Sequence, residues 1–367
     1  MMARLGDICT VVSGSTPKSV VPEYWDGDVK WITPAELDDD SYIISDSVRH
    51  ITTLGVTKTG LKPFPAGTVI LSSRAPIGKT AIAGCEMYCN QGFKNLVCSN
   101  NIDSKYLYFF LSSKRDYLNS LGRGATFKEI SKTIVENIEI PLPEMAEQKA
   151  ITTRLENLMK LIQLRKTELE KLDQLVKSRF IELFDDPMNG TSKWKVSTIG
   201  EQFNVTSGGT PATGEKAYWD NGTIPWIGSN MCQDTILIKN DGKFITEEGY
   251  IHSSAKWFYK GTVLVALVGA TIGKTALLRF DTTTNQNIAA IDVNENAAFS
   301  SEFVFYHMQM LYAKFMEIGN GKFKMANQGF IRQLPLVCPP LALQQRFAAF
   351  VEQVDKSKLC GEMGVAA

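Results

Sequence analysis

The sequence lacks the features that mark several large classes of protein. No apolar run reaches the ~18 residues that a membrane-spanning helix requires, and the longest candidate is only 261–270. The N-terminus shows neither the basic flank nor the apolar run of a signal peptide. The 39 basic and 39 acidic residues cancel, so the chain lacks the basic excess expected of a lone nucleic-acid binder. If it binds DNA, we expect another subunit to share the electrostatic work.

Cysteine and histidine are too few and too scattered for a disulfide framework or a zinc site. The seven cysteines are odd in number. Cys85 and Cys89 form the only close pair, and no second pair of Cys or His completes a zinc set. We interpret the cysteines as reduced thiols and core residues of a cytoplasmic protein. His50, His252 and His307 stand in no motif for catalysis or metal binding.

The motifs of nucleotide-binding and DNA-modifying enzymes are missing or incomplete. The two Ile-Gly-Lys-Thr segments lack the glycine that a P-loop needs five residues before Gly78 or Gly273. Residues 338–341 stand where an amino-methyltransferase would carry Asn/Asp-Pro-Pro-aromatic, but the polar residue and the aromatic are absent. Residues 28–30 and 241–243 resemble part of a nuclease site, a triplet that is common by chance. We predict no catalytic residues, no metal and no cofactor bound by this chain.

What the sequence does contain is one pattern written twice in the same order. Such internal repetition indicates two copies of a domain. The matching segments are 12–17 and 206–211 (VSGSTP, TSGGTP), 24–26 and 218–220 (YWD), 31–32 and 226–227 (WI), 67–69 and 261–263 (GTV), 75–81 and 270–276 (APIGKTA, ATIGKTA), 90–91 and 285–286 (NQ), 122–124 and 319–321 (Gly-x-Gly), and Pro143 with Gln148 against Pro340 with Gln345.

Each copy is predicted to open with strands and to continue with a helix. Short apolar runs predict strands at 69–71, 80–82, 263–265 and 275–277, and final strands at 138–142 and 334–338. Helices are predicted at 104–118 and 301–315, each opening on a Ser N-cap. The Ile-Gly-Lys-Thr segments are interpreted as tight turns that need the backbone freedom of Gly78 and Gly273. Lys79 and Lys274 would then point outward toward an anionic partner.

A long helix is predicted between the copies, at 146–184, where neither Gly nor Pro occurs. Its apolar residues step by three and four, which is typical of a coiled-coil seam. A shorter helix, 342–358, follows the second copy with Phe347, Phe350 and Val354 on its apolar face, and GEMGVAA is predicted to be a tail. The seam of the long helix comprises Leu155, Leu158, Ile162, Leu169, Leu172 and Val176, with Arg165 and Arg179 at two further seam positions.

Loops rich in Ser, Gly and Thr, together with Arg/Lys and Asn/Gln side chains, predict a DNA interface in each copy. Such loops follow phosphates, and these side chains pair with guanine and adenine edges. For any one residue, solvated loop charge explains the pattern equally well. The tryptophans are predicted to lie in the core rather than to stack on bases. The candidate DNA-binding residues are Ser15, Thr16, Lys18, Arg74, Lys79, Asn90, Gln91, Arg123, Thr126 and Lys128 in the first copy, and Thr210, Lys274, Asn285, Gln286, Lys322, Lys324 and Gln328 in the second.

The chain resembles the specificity subunit of type I restriction-modification systems. The resemblance rests on the long helix, on Pro141–Gln148 and on the repeated motifs Ser-Gly-x-Thr-Pro, Tyr-Trp-Asp, Trp-Ile, Ile-Gly-Lys-Thr and Asn-Gln. The resemblance covers essentially the whole chain. It implies an α+β fold with two mixed α/β target recognition domains, joined by long helices that form an antiparallel coiled coil. The expected segments are recognition domain 1–142, helix 143–186, recognition domain 187–340 and helix 341–367.

The resemblance further implies that the subunit binds double-stranded DNA, recognises a bipartite asymmetric site and is not an enzyme. Two modification (methyltransferase) subunits and restriction subunits would dock on it, and S-adenosylmethionine and ATP would belong to those partners. The short C-terminal helix departs from the family, so the part of the seam beyond about Leu169 is expected to lack an intramolecular partner. Two alternatives stay open: a coiled-coil scaffold that binds protein, and a shortened or variant subunit acting only in the modification complex. A fused active enzyme would carry the missing methyltransferase motifs, and this chain is too short for one.

Overall fold

Two units rich in strands make up the chain, Met1–Gln163 and Leu164–Ala367. The structure is a computed structural model that describes residues 1–74, 76–124, 128–190, 192–318 and 325–366, with the backbone alone over 359–366. Within that part of the chain, no helix is both long and apolar enough to cross a membrane.

The first unit contains the first copy and the beginning of the long helix. Its apolar strands follow Gly-containing turns, and β-branched and aliphatic residues suit their buried faces. The strands are β1 Met2–Arg4, β2 Cys9–Val12, β3 Trp25–Ile32, β4 Ile43–Ile44, β5 Arg49–Ile51, β6 Val69–Leu71, β7 Thr80–Ala83, β8 Tyr88–Cys89, β9 Asn95–Cys98 and β10 Glu139–Pro141. The α-helices are α1 Leu5–Ile8, α2 Thr53–Thr59, α3 Ser104–Ser113, α4 Arg115–Ser120, α5 Lys132–Glu136 and the long α6, Met145–Phe184.

The second unit contains the end of α6, the second copy and the last helix. Its strands are β11 Lys195–Thr198, β12 Asn204–Ser207, β13 Ile224–Ile227, β14 Thr235–Leu237, β15 Phe244–Ile245, β16 Trp257–Phe258, β17 Val263–Ala266, β18 Thr275–Leu278, β19 Thr282–Thr284, β20 Ile288–Asp292 and β21 Pro335–Cys338. Its α-helices are α7 Ile199–Gln202, α8 Glu247–Ile251, α9 Ser301–Met310, α10 Tyr312–Met316, α11 Gln328–Gln333 and α12 Leu341–Ala366.

The larger sheets of the two copies have the same topology, and the second sheet has one more strand in the second copy. The five-stranded sheets have the orders β2-β9-β6-β7-β4 and β12-β20-β17-β18-β14. A second sheet has the order β5-β3-β8 in one copy and β15-β13-β19-β16 in the other. In each, the last strand of the larger sheet pairs parallel with its neighbour. The duplicated sequence therefore gives a duplicated mixed α/β fold, and the predicted strands are confirmed.

The helices predicted at 104–118 and 301–315 exist, but each is interrupted once and begins at a different cap. The Asp103 carboxylate accepts a hydrogen bond from the amide of Tyr106 at 3.0 Å, and the Ser300 hydroxyl accepts one from the amide of Phe303 at 3.2 Å. The caps thus lie one residue before the predicted serines. Each cap residue has an extended backbone, which places its side chain beside the free amides of the first turn.

The C-terminal helix is longer than predicted, because α12 continues through most of the expected tail to Ala366. Gly361 and Gly364 each cost a helix only about 1 kcal/mol, and no proline follows to end it. With 26 residues against the 40 of α6, it remains the shorter of the two helices.

Within the second unit, α12 packs antiparallel against the end of α6. The ring of Phe347, near the start of α12, lies 5.5 Å from that of Phe184, near the end of α6. Farther along α12, the Lys358 amine pairs at 2.7 Å with Asp173, an earlier residue of α6. As residue numbers rise in one helix they fall in the other, so the two helices run antiparallel as predicted.

The predicted seam is buried only toward the end of α6, where α12 covers it, so the expectation that the part beyond Leu169 lacks an intramolecular partner is wrong. Val176 is 2% exposed and Leu172 packs against the core of the second unit. In the first unit Leu158 is 52% exposed, and its role in the seam or in subunit docking stays a prediction. A heptad pattern indicates which face is apolar but not whether a neighbour covers each position. Leu155, Ile162 and Leu169 are half-buried, as are Arg165 and Arg179.

A buried glutamine fixes the start of α6. The Oε1 atom of Gln148 accepts a hydrogen bond from the amide of Asp103 at 2.9 Å. Its Nε2 group donates to the carbonyls of Asn101 and Pro143 at 3.0 and 2.9 Å. The amide thereby ties the loop before α3 to the first turn of the long helix.

The same arrangement begins α12, with Gln344 as its centre. Gln344 accepts from the amide of Ser300 at 2.9 Å and donates to the carbonyls of Ala298 and Pro339 at 3.0 and 2.9 Å. The sequence match of Gln148 with Gln345 is therefore wrong by one residue. The reason is orientation: Gln344 is buried, whereas Gln345 is exposed.

Candidate nucleic-acid interface

In each copy, the Ser-Gly-x-Thr-Pro loop leaves the edge strand of the larger sheet and packs against a strand of the second sheet. In the first copy the amide of Ser15 donates to the carbonyl of Cys89 at 3.0 Å. A Cβ atom on Gly14 would lie 1.7 Å from the Cys89 oxygen, and one on Gly208 would lie 2.1 Å from that of Thr284. Only glycine allows this approach, so the repeated glycine serves the fold of the loop.

Buried tryptophans donate hydrogen bonds to the backbone of the same loops. The Trp31 indole donates to the carbonyl of Ser15 at 3.0 Å, and the Trp226 indole donates to that of Gly209 at 3.0 Å. Each ring also meets a second tryptophan edge-to-face, with centroids 5.2 Å apart in both copies. Trp31 and Trp226 are 2% and 8% exposed, which confirms the prediction that they belong to the core.

The threonine of each loop reaches the glutamine of the Asn-Gln motif. Thr16 donates to the Gln91 Oε1 atom at 2.5 Å, and Thr210 donates to the Gln286 Oε1 atom at 2.6 Å. Both glutamines are exposed. Since the bond engages the amide oxygen, the Nε2 group of each remains a donor for a phosphate or a base edge. These four candidate residues therefore meet in pairs, one pair in each copy.

The asparagine of the motif shapes the turn that carries the glutamine. The Asn90 Oδ1 atom accepts from the amide of Gly92 at 2.8 Å, and that of Asn285 accepts from the amide of Asn287 at 3.1 Å. An asparagine that bonds the backbone two residues on is a common way to stabilise a tight turn.

A depression of about 450 Å³ lies beside these residues in the first copy. Two candidate DNA-binding residues, Arg74 and Asn90, contribute to its wall. Two further candidates, Arg123 and Lys128, are exposed in the segment that leads to Glu129. Arg123 exchanges two backbone hydrogen bonds with Glu129, at 3.0 and 2.9 Å. The lining residues are Thr33, Pro34, Ala35, Arg74, Asn90, Gly92 and Glu129.

Glu129 is a member of this site that the sequence did not single out. Its carboxylate accepts from the Lys94 amine at 3.1 Å and lies 3.9 Å from the Arg74 guanidinium. Lys94 is 8% exposed and also donates to Ser73 at 3.3 Å. A carboxylate between two cations is expected when a buried lysine must be paired. A search for phosphate-binding residues passes over such an acid, and no local motif marks it.

A depression of about 430 Å³ occupies the corresponding place in the second copy and is rich in amides. The Gln328 side chain donates to the Ser207 hydroxyl at 2.9 Å and accepts from Arg332 at 3.0 Å. Lys256 and Asn287 also line it and were not predicted. The lining residues are Ser207, Gly208, Ser254, Lys256, Leu267, Val268, Gln286, Asn287, Met325, Ala326, Asn327 and Gln328.

The two Ile-Gly-Lys-Thr segments form tight turns, but their lysines bond within their own copies. Gly78 and Gly273 have φ angles of +88° and +76°, as the predicted turn requires. The Lys79 amine donates to a backbone carbonyl, that of Leu37. The Lys274 amine pairs with Asp234 at 2.5 Å. The prediction that both lysines point outward is therefore wrong, because carbonyl and carboxylate partners distant in sequence bind them.

The remaining candidates divide into exposed loop residues and residues outside the described part of the chain. Ser15, Thr16 and Lys18 are exposed on the first loop. Thr126, Lys322 and Lys324 lie outside the described residues. Among the residues that the structure describes, no group of three His, Cys, Asp or Glu side chains could hold a metal ion.

One family accounts for both copies. The family described as the type I restriction modification DNA specificity domain matches residues 1–174 and again residues 191–360. The chain belongs to this family. Its two copies are the two recognition domains of a type I restriction-modification specificity subunit.

Individual relatives agree with this assignment. The chain is 31% identical over 309 residues to the type I restriction enzyme MjaIX specificity subunit of Methanocaldococcus jannaschii, covering 79% of this chain and 71% of the relative. It is 27% identical over 200 residues to the EcoR124I/EcoR124II specificity subunit of Escherichia coli, covering 52% and 48%.

Two solved structures share the fold. A chain from a study of complex assembly and conformational transition of the type I R-M system matches with a TM-score of 0.63 and 18% identity. The type I restriction-modification S subunit from M. genitalium matches with a TM-score of 0.55 and 16% identity. Both matches cover 100% of this chain and 92% of the other.

Proposed function

We propose that each recognition domain recognises one half of a bipartite, asymmetric DNA site, and that this chain is not itself an enzyme. Methyl transfer and cleavage would reside in two modification subunits and in restriction subunits, which would bind S-adenosylmethionine and ATP. One observation carries the proposal: the same loop scaffold, with Thr bonded to Gln and Trp bonded to the loop backbone, presents different side chains in the two domains.

The difference in side chains supports an asymmetric site. The first domain offers Arg74, Asn90 and Glu129 around its depression, whereas the second offers Gln286 and Gln328 among other amides. Arginine pairs with the guanine edge and a carboxylate accepts from cytosine N4, while Asn and Gln pair with the adenine edge. We therefore expect the first domain to require a G·C pair, and the second to depend mainly on A·T pairs.

Docking of the partner subunits is proposed for the helices. Arg165 and Arg179 of α6 each pair with a glutamate three residues along, Glu168 at 2.5 Å and Glu182 at 2.6 Å. Exposed pairs of this kind contribute little to stability, at most about 1 kcal/mol, so they are free to exchange partners when another subunit docks. Assembly of the complex that is unaffected by Arg165→Glu or Arg179→Glu would count against this role.

The balanced charge of the chain is consistent with such an assembly. With no net charge of its own, the subunit would leave much of the phosphate neutralisation to docked partners. Binding of DNA by the complex is then expected to weaken steeply as salt rises. A scaffold that binds only protein would give no such salt-dependent DNA binding.

The test is Arg74→Gln in the assembled methyltransferase complex, followed by sequencing of the methylated sites. Loss of the guanine contact is expected to cost about 1–3 kcal/mol at one base pair, so one position of one half-site becomes relaxed. Arg332→Gln in the second domain is the comparison, and it should leave the first half-site unchanged. The proposal fails if Arg74→Gln alters both half-sites, or if the isolated chain transfers methyl groups.

A further inference from the structure

Two cysteines face each other across neighbouring strands of the first recognition domain. Cys9 on β2 is the antiparallel partner of Cys98 on β9. The amide of Ser99 donates to the carbonyl of Ile8 at 3.0 Å, which makes Ile8 and Ser99 a hydrogen-bonded pair. The next pair along, Cys9 and Cys98, is therefore a non-hydrogen-bonded pair, the type whose side chains come closest.

This geometry suits a covalent bond between the two sulfur atoms. Facing Cα atoms in a non-hydrogen-bonded pair lie about 4.5 Å apart, and a disulfide spans Cα distances of roughly 4.4–6.8 Å. The register of the two strands therefore brings the cysteines within the range of a disulfide.

The two thiols differ in access. Cys9 is 8% exposed, whereas Cys98 is half-buried at the margin of the same apolar cluster. The hydrogen bond to Cys98, together with burial, raises the pKa of the Cys9 thiol above its ordinary value. An external reagent therefore meets Cys98 first, and Cys9 reacts only through Cys98.

The second recognition domain shows that the fold does not require this pair. Val11 pairs with Leu96 in the first domain and Val205 with Ile291 in the second. Cys9 lies two residues before Val11, and Cys98 lies two residues after Leu96. The same steps from Val205 and Ile291 lead to Phe203 and Val293, which are both buried. The same sheet is thus built with apolar residues at these positions, so packing alone does not explain two cysteines.

The pair lies at the base of the recognition loop. β2 is the edge strand of its sheet and pairs there with β9, and four residues later the chain enters the loop that contains Ser15 and Thr16. We propose that Cys9 and Cys98 are a modification site that a low-molecular-weight disulfide converts to an intramolecular disulfide, which clips the strand carrying the recognition loop of the first domain. This proposal does not depend on which base pairs the domain recognises.

The reaction consists of two thiol–disulfide exchanges. The Cys98 thiolate attacks one sulfur of the reagent RSSR, forming the mixed disulfide Cys98–S–S–R and releasing RS⁻. Cys9 then loses its proton, and its sulfur attacks the Cys98 sulfur, releasing a second RS⁻. The two cysteines are oxidised to one disulfide, and the reagent is reduced to two thiols by the two electrons that they give up.

The test treats the folded full-length chain with graded oxidised glutathione, blocks the remaining thiols and maps disulfides by peptide mass spectrometry. We expect the Cys9–Cys98 link to form before any link that involves Cys85, Cys89, Cys232 or Cys338. Amide hydrogen exchange should then slow several-fold over residues 9–18 and stay unchanged over residues 203–212 of the second domain. Addition of dithiothreitol should reverse both effects.

Cys98→Val is the matched variant, because it introduces the residue that the second domain carries at this position. It should fold, form no internal link and show no change in exchange on oxidation. The proposal is overturned if the wild-type chain stops at a glutathione adduct on Cys98, if another cysteine pair links first, or if no cysteine reacts. It is also overturned if the link forms and exchange over residues 9–18 does not change.

Discussion

At the scale of single residues, the repeated motifs mainly stabilise the conformation of the loops. Gly14 allows the loop to approach β8, and the Trp31 indole donates a hydrogen bond to the carbonyl of Ser15 in that loop. Thr16 and Gln91 bond to each other. Similarity between the copies therefore marks a shared scaffold. We propose that specificity is carried by positions where the copies differ, such as Glu129 in the first domain and Gln328 in the second.

Sequence alone predicted which loops carry the candidate residues, but not how their side chains come together. The repeat marked the Thr loop and the Asn-Gln motif, whereas the hydrogen bond between them depends on the fold. Lys274 binds Asp234, which lies 40 residues away in the sequence, and Lys94 binds Glu129 across 35 residues. Pairing over such separations depends on the register of strands in the fold, which a local motif does not contain.

The buried glutamine at the start of α12 makes a sharp prediction. In Gln344→Leu the amide of Ser300 and the carbonyls of Ala298 and Pro339 lose their partner at a buried site. Unpaired buried polar groups are costly, so the free energy of unfolding is expected to fall by about 3 kcal/mol. Urea unfolding of the full-length chain measures this change.

Gln345→Leu is the control, because the neighbouring glutamine is exposed. It should shift the unfolding midpoint very little, since surface substitutions usually change stability by about 0.5 kcal/mol or less. If Gln345→Leu lowered the free energy of unfolding more than Gln344→Leu, the match of Gln148 with Gln345 would be right and the match with Gln344 would be wrong.

A second residue-scale prediction concerns His307, which lies wholly buried between Phe180 and Phe303 in the second unit. Burial lowers its pKa to about 4, whereas an unfolded histidine titrates near pH ~6.5. Between these two pKa values, the histidine is therefore protonated in the unfolded chain and neutral in the folded chain. As pH falls from ~6.5 to 4, this histidine removes up to ~3 kcal/mol from the free energy of unfolding.

His307→Leu should remove that contribution, so the free energy of unfolding falls less between pH 7 and pH 5 than in the wild type. The comparison uses the change with pH, because loss of the 2.8 Å contact between the ring and the carbonyl of Pro335 lowers stability at every pH. Parallel curves for wild type and His307→Leu would contradict the assignment.

At the scale of elements, periodicity predicted the strands and helices well and their ends less well. The apolar runs after Gly-Thr turns are strands in both copies, and the long helix begins and ends within about a residue of its prediction. α3 and α9 begin at the predicted residues, but each ends five residues early, at Ser113 and Met310, and a separate short helix follows. Burial along α6 was also not predictable, since coverage of Leu158 depends on a neighbouring element.

The helix pair of the second unit depends on an aromatic cluster. The ring of Phe347 lies 5.5 Å from those of both Phe180 and Phe184, and it is wholly buried. Phe347→Ala is expected to lower the free energy of unfolding by about 3–5 kcal/mol, because it leaves a cavity between α6, α9 and α12. Urea unfolding followed by circular dichroism measures the loss.

Phe350→Ala on the same helix is the matched control. Phe350 is half-buried, and the Arg179 guanidinium lies 5.9 Å from its ring. A contact of this kind contributes about 0.5–1 kcal/mol, so the loss should be much smaller than at Phe347. Equal losses from the two variants would mean that the cluster does not anchor α12.

At the scale of the whole molecule, one chain carries two recognition domains with the same topology and different surfaces. The duplicated sheets and loops give each domain the same means of presenting side chains to DNA. The charged set around Glu129 and the amides around Gln328 then give each domain its own chemistry. We propose that a single chain of this design specifies two unlike half-sites.

Exchange of one recognition domain tests that claim most directly. Residues 1–142 are replaced by the first domain of another family member, and methylated sites are mapped across a host genome with the hybrid, the parent chain or neither. The account predicts that one half of the methylated site changes and that the other half stays as in the parent. A change in both halves, or an active hybrid that keeps both parental halves, would contradict it.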